Sequence, residues 1–110
     1  MWIFTRDGFV SAVYKYEGVQ VRSRDKQSLK RSAKFCGVDV RHSPMADYPY
    51  RITTTRENFA NWLSSEVMEI DYSNFKAEVQ VVRGLKFVRP LHSVWDLMHD
   101  VEDDNARNSC

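Results

Sequence analysis

Two glycine-bearing turns near the start of the chain limit what it can become. Asp7-Gly8 and Glu17-Gly18 separate three short apolar segments. Glycine accepts positive φ without a Cβ clash, so each pair suits a two-residue hairpin loop. Trp2 to Phe4 form a brief apolar run. From Phe9 to Tyr16, the side chains of Val10, Ala12, Tyr14 and Tyr16 fall on one face, and Val19 and Val21 alternate with Gln20 and Arg22. A period of two is the signature of a strand. Successive strands joined by tight turns predict an antiparallel meander.

The pattern then changes period. Leu29, Ser32, Ala33 and Cys36 recur at helical spacing, Asp25 stands where a capping residue belongs, and Gly37 suits the left-handed position that ends a helix. Residues 38–48 are polar and mixed and read as a loop with a brief strand at Val38 to Val40. Pro49 limits pairing locally, and Tyr50, Ile52 and Thr54 alternate with Arg51 and Thr53 as a fourth strand. Thr55 is an expected cap for a helix carrying Phe59, Trp62, Leu63, Val67 and Ile70. Asp71-Tyr72-Ser73 breaks that helix, and Asp71 or Ser73 is expected to cap the next, which carries Phe75, Val79 and Val82 and ends at Gly84. Pro90 fits the first turn of a last helix, with Leu91, Val94, Trp95, Met98 and Val101 on one side.

The expected order is β-β-β-α-β-α-α-α. It predicts an α+β fold, an antiparallel three- to four-stranded sheet packed on one face by about four helices. A chain of 110 residues, 43% apolar, has the size of one domain with a real core. We expect that domain over residues 1–101 and an acidic, then polar, frayed tail over 102–110. Cys36 and Cys110 are too far apart in sequence to imply a disulfide framework or a metal cluster, and they suit a reducing compartment. No leader pattern and no membrane-length apolar run is present, so the expected location is the cytoplasm.

Net charge is +1, which gives no global pull toward nucleic acid or membrane. The average hides a division. Residues 1–54 hold 10 Lys/Arg against 5 Asp/Glu, net +5, whereas residues 55–110 hold 6 against 10, net −4. Such a bipolar chain admits a homodimer in which the basic half of one copy faces the acidic half of another.

Three groups of residues are candidates for chemistry. His92, Asp96, His99 and Asp103 form a polar stripe on the last helix. A His and a carboxylate one turn apart can bind a metal or exchange protons, so His92, Asp96 and His99 define a metal-dependent enzyme as one alternative. A solvated flank with weak ion pairs is the favoured reading of the stripe, since no known spacing fixes a third ligand. The second group is the basic stretch Arg22, Arg24, Lys26, Lys30, Arg31, Lys34 and Arg41, which could meet phosphates. It lacks the aromatic motif or recognition helix of common nucleic-acid modules, which argues against nucleic acid as partner. The third group pairs Asp47-Tyr48-Pro49-Tyr50-Arg51 with Asp71-Tyr72-Ser73-Asn74-Phe75-Lys76. If the two stretches meet, Asp47, Tyr48, Tyr50, Arg51, Asp71, Tyr72 and Lys76 form a binding site, with aromatic and arginine residues of the kind found at interface hot spots. Acid–base chemistry through these Asp-Tyr stretches is the other enzyme alternative. No nucleophile elbow, Cys-His pattern, Walker loop or dinucleotide loop is present, and no motif calls for a cofactor.

Three segments resemble a known group. Met1-Trp2-Ile3-Phe4-Thr5-Arg6-Asp7-Gly8-Phe9-Val10-Ser11-Ala12-Val13, Ala46-Asp47-Tyr48-Pro49-Tyr50-Arg51 and Ile70-Asp71-Tyr72-Ser73-Asn74-Phe75-Lys76 look like an uncharacterised family of short bacterial proteins with members in actinobacterial phages. The last helix with Trp95 also fits that family's pattern, and the acidic tail looks like an addition. The resemblance implies a cytosolic stand-alone domain and carries over no catalytic residue. The leading expectation is therefore a small binding or regulatory protein, phage-encoded and acting on a host protein or on itself.

Overall fold

The computed structural model describes residues 1–107; Cys110 and the end of the expected tail lie outside the described residues. Strands β1 (Trp2–Thr5), β2 (Gly8–Lys15) and β3 (Gly18–Ser23) form the meander. After helix α1 (Gln27–Cys36) come a two-residue strand, β4 (Arg41–His42), and β5 (Tyr50–Thr54). Helices α2 (Arg56–Met68), α3 (Phe75–Arg83) and α4 (Leu85–Leu97) follow, and a 3₁₀ turn at Met98–Val101 extends α4. The sheet is antiparallel throughout, in the order β1-β2-β3-β5-β4. The α+β class stands as expected, with one strand more than the sequence indicated. The extra pairing falls at Arg41–His42 rather than at Val38 to Val40, because the two valines instead pack against the core from the loop.

Both hairpin loops sit one residue earlier than the glycines implied. Thr5 pairs with Gly8 and Lys15 with Gly18, so the loop residues are Arg6-Asp7 and Tyr16-Glu17. Tyr16 (φ 53°) and Glu17 (φ 61°) both adopt left-handed backbone, as a type I′ loop requires, and each does so without glycine's freedom. The register explains the shift. Val10 and Ala12 must face the core, and moving the pairing by one residue would turn them to the other side. Tyr14, expected beside them, is already past the covering helices and is exposed.

Alternate residues of the sheet face α1 and α2. Val10, Ala12, Val19, Val21, Leu29, Ala33, Ile52, Phe59 and Trp62 form one buried cluster. Burying a side chain the size of Val21, Leu29 or Ile52 stabilises by about 1.5–3 kcal/mol, so this cluster dominates folding. Local signals set the helix ends. Thr55 Oγ1 accepts the Asn58 amide at 3.1 Å, as expected of a cap, and Gly37 (φ 68°) closes α1. Helix α2 stops at Met68, which leaves Val67 and Ile70 of its expected stripe exposed.

Three expected ends are corrected. Asp25 does not cap α1: its carboxylate accepts from Ser28 Oγ at 2.5 Å and from Arg83 Nη2 at 2.5 Å, so it serves side chains instead of a backbone amide. Asn74, not Asp71 or Ser73, caps α3, accepting the Ala77 amide at 3.0 Å. Helix α4 begins at Leu85, not at Pro90. Gly84 (φ 84°, ψ 174°) breaks the path in one residue and lets the next helix restart at once, with Pro90 inside it. The first part of the expected tail makes a turn, in which Arg107 Nη2 donates to Glu102 at 3.3 Å. Among the described residues no helix is long and apolar enough to cross a membrane.

Candidate functional site

A strand with three successive apolar residues puts apolar side chains on both faces. Ile3 of β1 packs against the core, so Trp2 and Phe4 point the other way, where the Phe9 side chain joins them. Phe4 stacks on Phe9 with ring centres 4.7 Å apart, and Trp2 meets Phe9 edge-on at 5.7 Å. Helix α4 supplies Phe87, Pro90 and Leu91 against this trio. Together with Tyr48 they line a hollow of roughly 350 Å³.

A second hollow of roughly 610 Å³ adjoins the first, sharing Phe4 and Leu91. Tyr72, Asn74, Phe75, Lys76, Val94 and Trp95 complete its walls. Lys76 Nζ lies 4.8 Å from the Trp95 ring centre, and Tyr72 and Phe75 are in ring contact at 6.1 Å. The two hollows make one apolar groove between the β1 side of the sheet and the α3–α4 hairpin. It continues onto exposed apolar residues of α4, since Trp95 is 53% exposed and Met98 57%. Segments 1–13, 46–51 and 70–76 all contribute to these walls.

The structure divides the site read from the sequence. Tyr48 lies in the first hollow; Tyr72 and Lys76 lie in the second. Asp47 is exposed beside the first and pairs with Arg24 Nη1 at 3.2 Å. Arg51 Nη2 donates to the Tyr48 carbonyl at 3.3 Å, away from the groove floor. Tyr50 leaves the site: it packs against the core and stacks on His42 at 4.6 Å. Asp71 is exposed on the approach to α3 and lines neither hollow. Trp2, Phe4, Phe9, Phe87, Pro90 and Leu91 were not anticipated as site residues. The signal available for them was the unbroken run Trp2-Ile3-Phe4, which demands a cover on each side of an edge strand.

Tyr48 is held by two cations. The guanidinium carbons of Arg22 and Arg24 lie 4.7 and 4.8 Å from its ring centre. The basic stretch therefore does not form one surface. Arg22 and Arg41 belong to the sheet, Arg24 follows β3 beside Tyr48, Lys26 and Lys30 border a hollow beside Val38 and Val40, and Arg31 and Lys34 face α2.

Charge also gathers on the far side of α2. Arg6 Nη2 pairs with Glu69 at 2.6 Å, and Arg31 lies 3.4 Å from Asp7 and 3.6 Å from Glu69. Burial, and then the Asp7 charge, push the Glu66 carboxyl above its usual range. The arginines neutralise this cluster internally, which reads as a structural network.

The polar stripe of the last helix does not converge. His92 stacks on Trp95 at 5.5 Å, and His99 meets the same ring edge-on at 4.9 Å. His99 Nδ1 lies 3.4 Å from Glu102, whose own carboxyl is held below its usual range by Arg107 and by His99. Among the described residues no three His, Cys, Asp or Glu side chains are grouped to hold a metal ion. Comparison with known proteins returns no match: no family model, curated protein or solved structure corresponds to this chain.

Proposed function

We propose that this chain is a small cytoplasmic binding protein whose groove takes an apolar segment of another protein flanked by acidic residues. One observation carries the reading: a continuous aromatic and aliphatic trough, from Trp2 and Phe4 across Leu91 to Trp95, stays open to solvent. Exposed contiguous apolar surface on a small protein marks an interaction site. Lys76, at the margin of the second hollow with no carboxylate within 4.0 Å among the described residues, favours an acidic flank on the occupant. Aromatic anchors in such a trough dominate binding energy.

Selection of peptides from a random display library tests it. Enriched peptides should combine apolar anchors with Asp or Glu. Fluorescence anisotropy should then show binding weakened about tenfold or more by Trp95→Ala and by Phe4→Ala. An absence of enrichment, or enrichment of basic peptides, overturns the reading.

A further inference from the structure

The strand registers align one residue from every strand in a single row. Trp2 pairs with Ser11, Ser11 with Arg22, Arg22 with Arg51, and Arg51 with Arg41. Residues directly opposite one another share a face, so these side chains stand on the face away from the α1–α2 core. With strands about 4.8 Å apart, the three arginines span about 10 Å, and Trp2 lies about 10 Å from Arg22.

Like charges placed opposite one another across strands are unfavourable, and this row does so twice in succession. Arg6, Arg24, Arg31, Arg83 and Arg107 each have a carboxylate within 4.0 Å. Among the described residues, Arg22, Arg41, Arg51, Arg56 and Arg89 have none, and of these only Arg22, Arg51 and Arg41 stand side by side across paired strands. Arg22 donates to Ser11 Oγ and Arg51 to the Tyr48 carbonyl, while the Nε atom of each is buried without a partner. Ser11, Tyr48 and the register hold the Arg22 and Arg51 guanidinium groups in place through Nη2, and no hydrogen bond within the described residues uses the Nη1 of either. Arginine forks match phosphate oxygens in paired hydrogen bonds. At the far end of the row, Trp2 is 70% exposed and offers a planar surface.

We propose that this row is a nucleotide-phosphate site: phosphates lie along Arg22, Arg51 and Arg41, and a base stacks on Trp2. A free nucleotide and a single-stranded nucleic acid share this chemistry. A multiply charged backbone neutralises several adjacent arginines at once, and stacking on an aromatic ring is the usual companion of such contacts. The site lies beside the peptide groove and shares Trp2 with it, whereas Arg51 and Arg41 line neither hollow.

The test is fluorescence anisotropy of labelled oligo-dT and oligo-U at low and moderate salt, with ATP, inorganic phosphate and polyglutamate as competitors. The strands should bind and weaken steeply with salt, and polyglutamate should compete poorly. Arg41→Gln, at an exposed edge, should weaken binding about tenfold and lower the salt slope by about one. Trp2→Ala should weaken it about tenfold with an unchanged far-ultraviolet dichroism spectrum. Arg41→Gln should also leave the melting temperature equal or higher, because it removes one repulsive pair. ATP binding with the same sensitivity to both variants identifies the free nucleotide as the source; strand binding that ATP does not displace identifies nucleic acid. Absence of binding at low salt, binding indifferent to both variants, or polyglutamate binding as tightly as the strands overturns the proposal. Arg41 lines neither hollow of the peptide groove, so the Arg41→Gln result separates this proposal from the peptide selection.

Discussion

The sheet with α1 and α2 differs from the α3–α4 hairpin in how completely each hides its apolar stripe. In the first region, Val21, Leu29 and Ile52 are fully buried and Trp62 is nearly so. In the second, burial stops at Val79 and Leu91, and the rest of the α4 stripe, through Trp95 and Met98 to Val101, lies open. Equal periodicity thus has unequal outcomes. A helical stripe predicts that a face is apolar; only the presence of a second layer decides whether it becomes core. The uncovered stripe is the surface that our functional reading uses.

Tryptophan truncation should separate the regions most sharply. Trp62→Ala should cost about 3–5 kcal/mol in denaturant unfolding, because it empties a packed site. Trp95→Ala, at an exposed ring, should change stability by less than about 0.5 kcal/mol while it removes peptide binding. Comparable losses in both variants would show that α4 is as essential to the core as α2.

The regions are joined by Arg83. It donates to the Asp7 carbonyl and to Asp25, each at 2.5 Å, and packs over Phe87 with its guanidinium carbon 4.3 Å from the ring centre. Close packing protects the joint, since a Cβ on Gly8 would sit 2.0 Å from Ser28 Oγ. Arg83→Met should cost about 2 kcal/mol, the scale of charged hydrogen bonds lost from a partly buried site. Hydrogen exchange should then accelerate in α3 and α4 more than in β2 and β3. Uniform acceleration would mean that the two regions unfold as one.

The exposed Tyr16-Glu17 loop joins two strands of the well-packed region yet carries strain, because both residues hold left-handed backbone. Tyr16→Asn with Glu17→Gly should raise stability by about 1 kcal/mol, since both replacements tolerate left-handed backbone. Chemical denaturation measures the gain, and an unchanged midpoint would show that the loop is relaxed as it stands.

The smallest effect concerns Glu66. A carboxyl whose folded value is raised favours folding in its protonated form. That contribution is complete below the ordinary carboxylate range and is lost as pH rises through the raised value. Glu66→Gln should therefore give a slightly higher melting temperature near neutral pH, with no difference from the parent chain in acid. A lower temperature at neutral pH would show that ionised Glu66 is held favourably by Arg6 and Arg31.

Much of the fold could be read from the chain because its signals are local. Alternation at Val10, Ala12, Val19 and Val21, the Thr55 cap and the Gly37 stop each depend on neighbours a few residues away. The hairpin loops were misread by one residue because a turn's position follows from which side the strands bury, not from the glycine alone. The proposed site was less accessible. Tyr48, Tyr72 and Lys76 were identified as surface-forming, but Phe4 and Leu91, which connect their hollows, look like ordinary core residues in sequence. Tyr50, two positions from Tyr48, faces the opposite way once β5 is paired.

The sequence by itself determined the three meander strands, β5 and the existence of four helices in order, because periodicity and capping act over one or two turns of chain. Tertiary structure alone decided which faces were covered and which polar groups met. Arg22, Arg41 and Arg51 are separated by up to 29 residues in the chain, and only the antiparallel register places them side by side. Cross-strand pairing converts distance along the chain into adjacency, and no local pattern encodes that conversion.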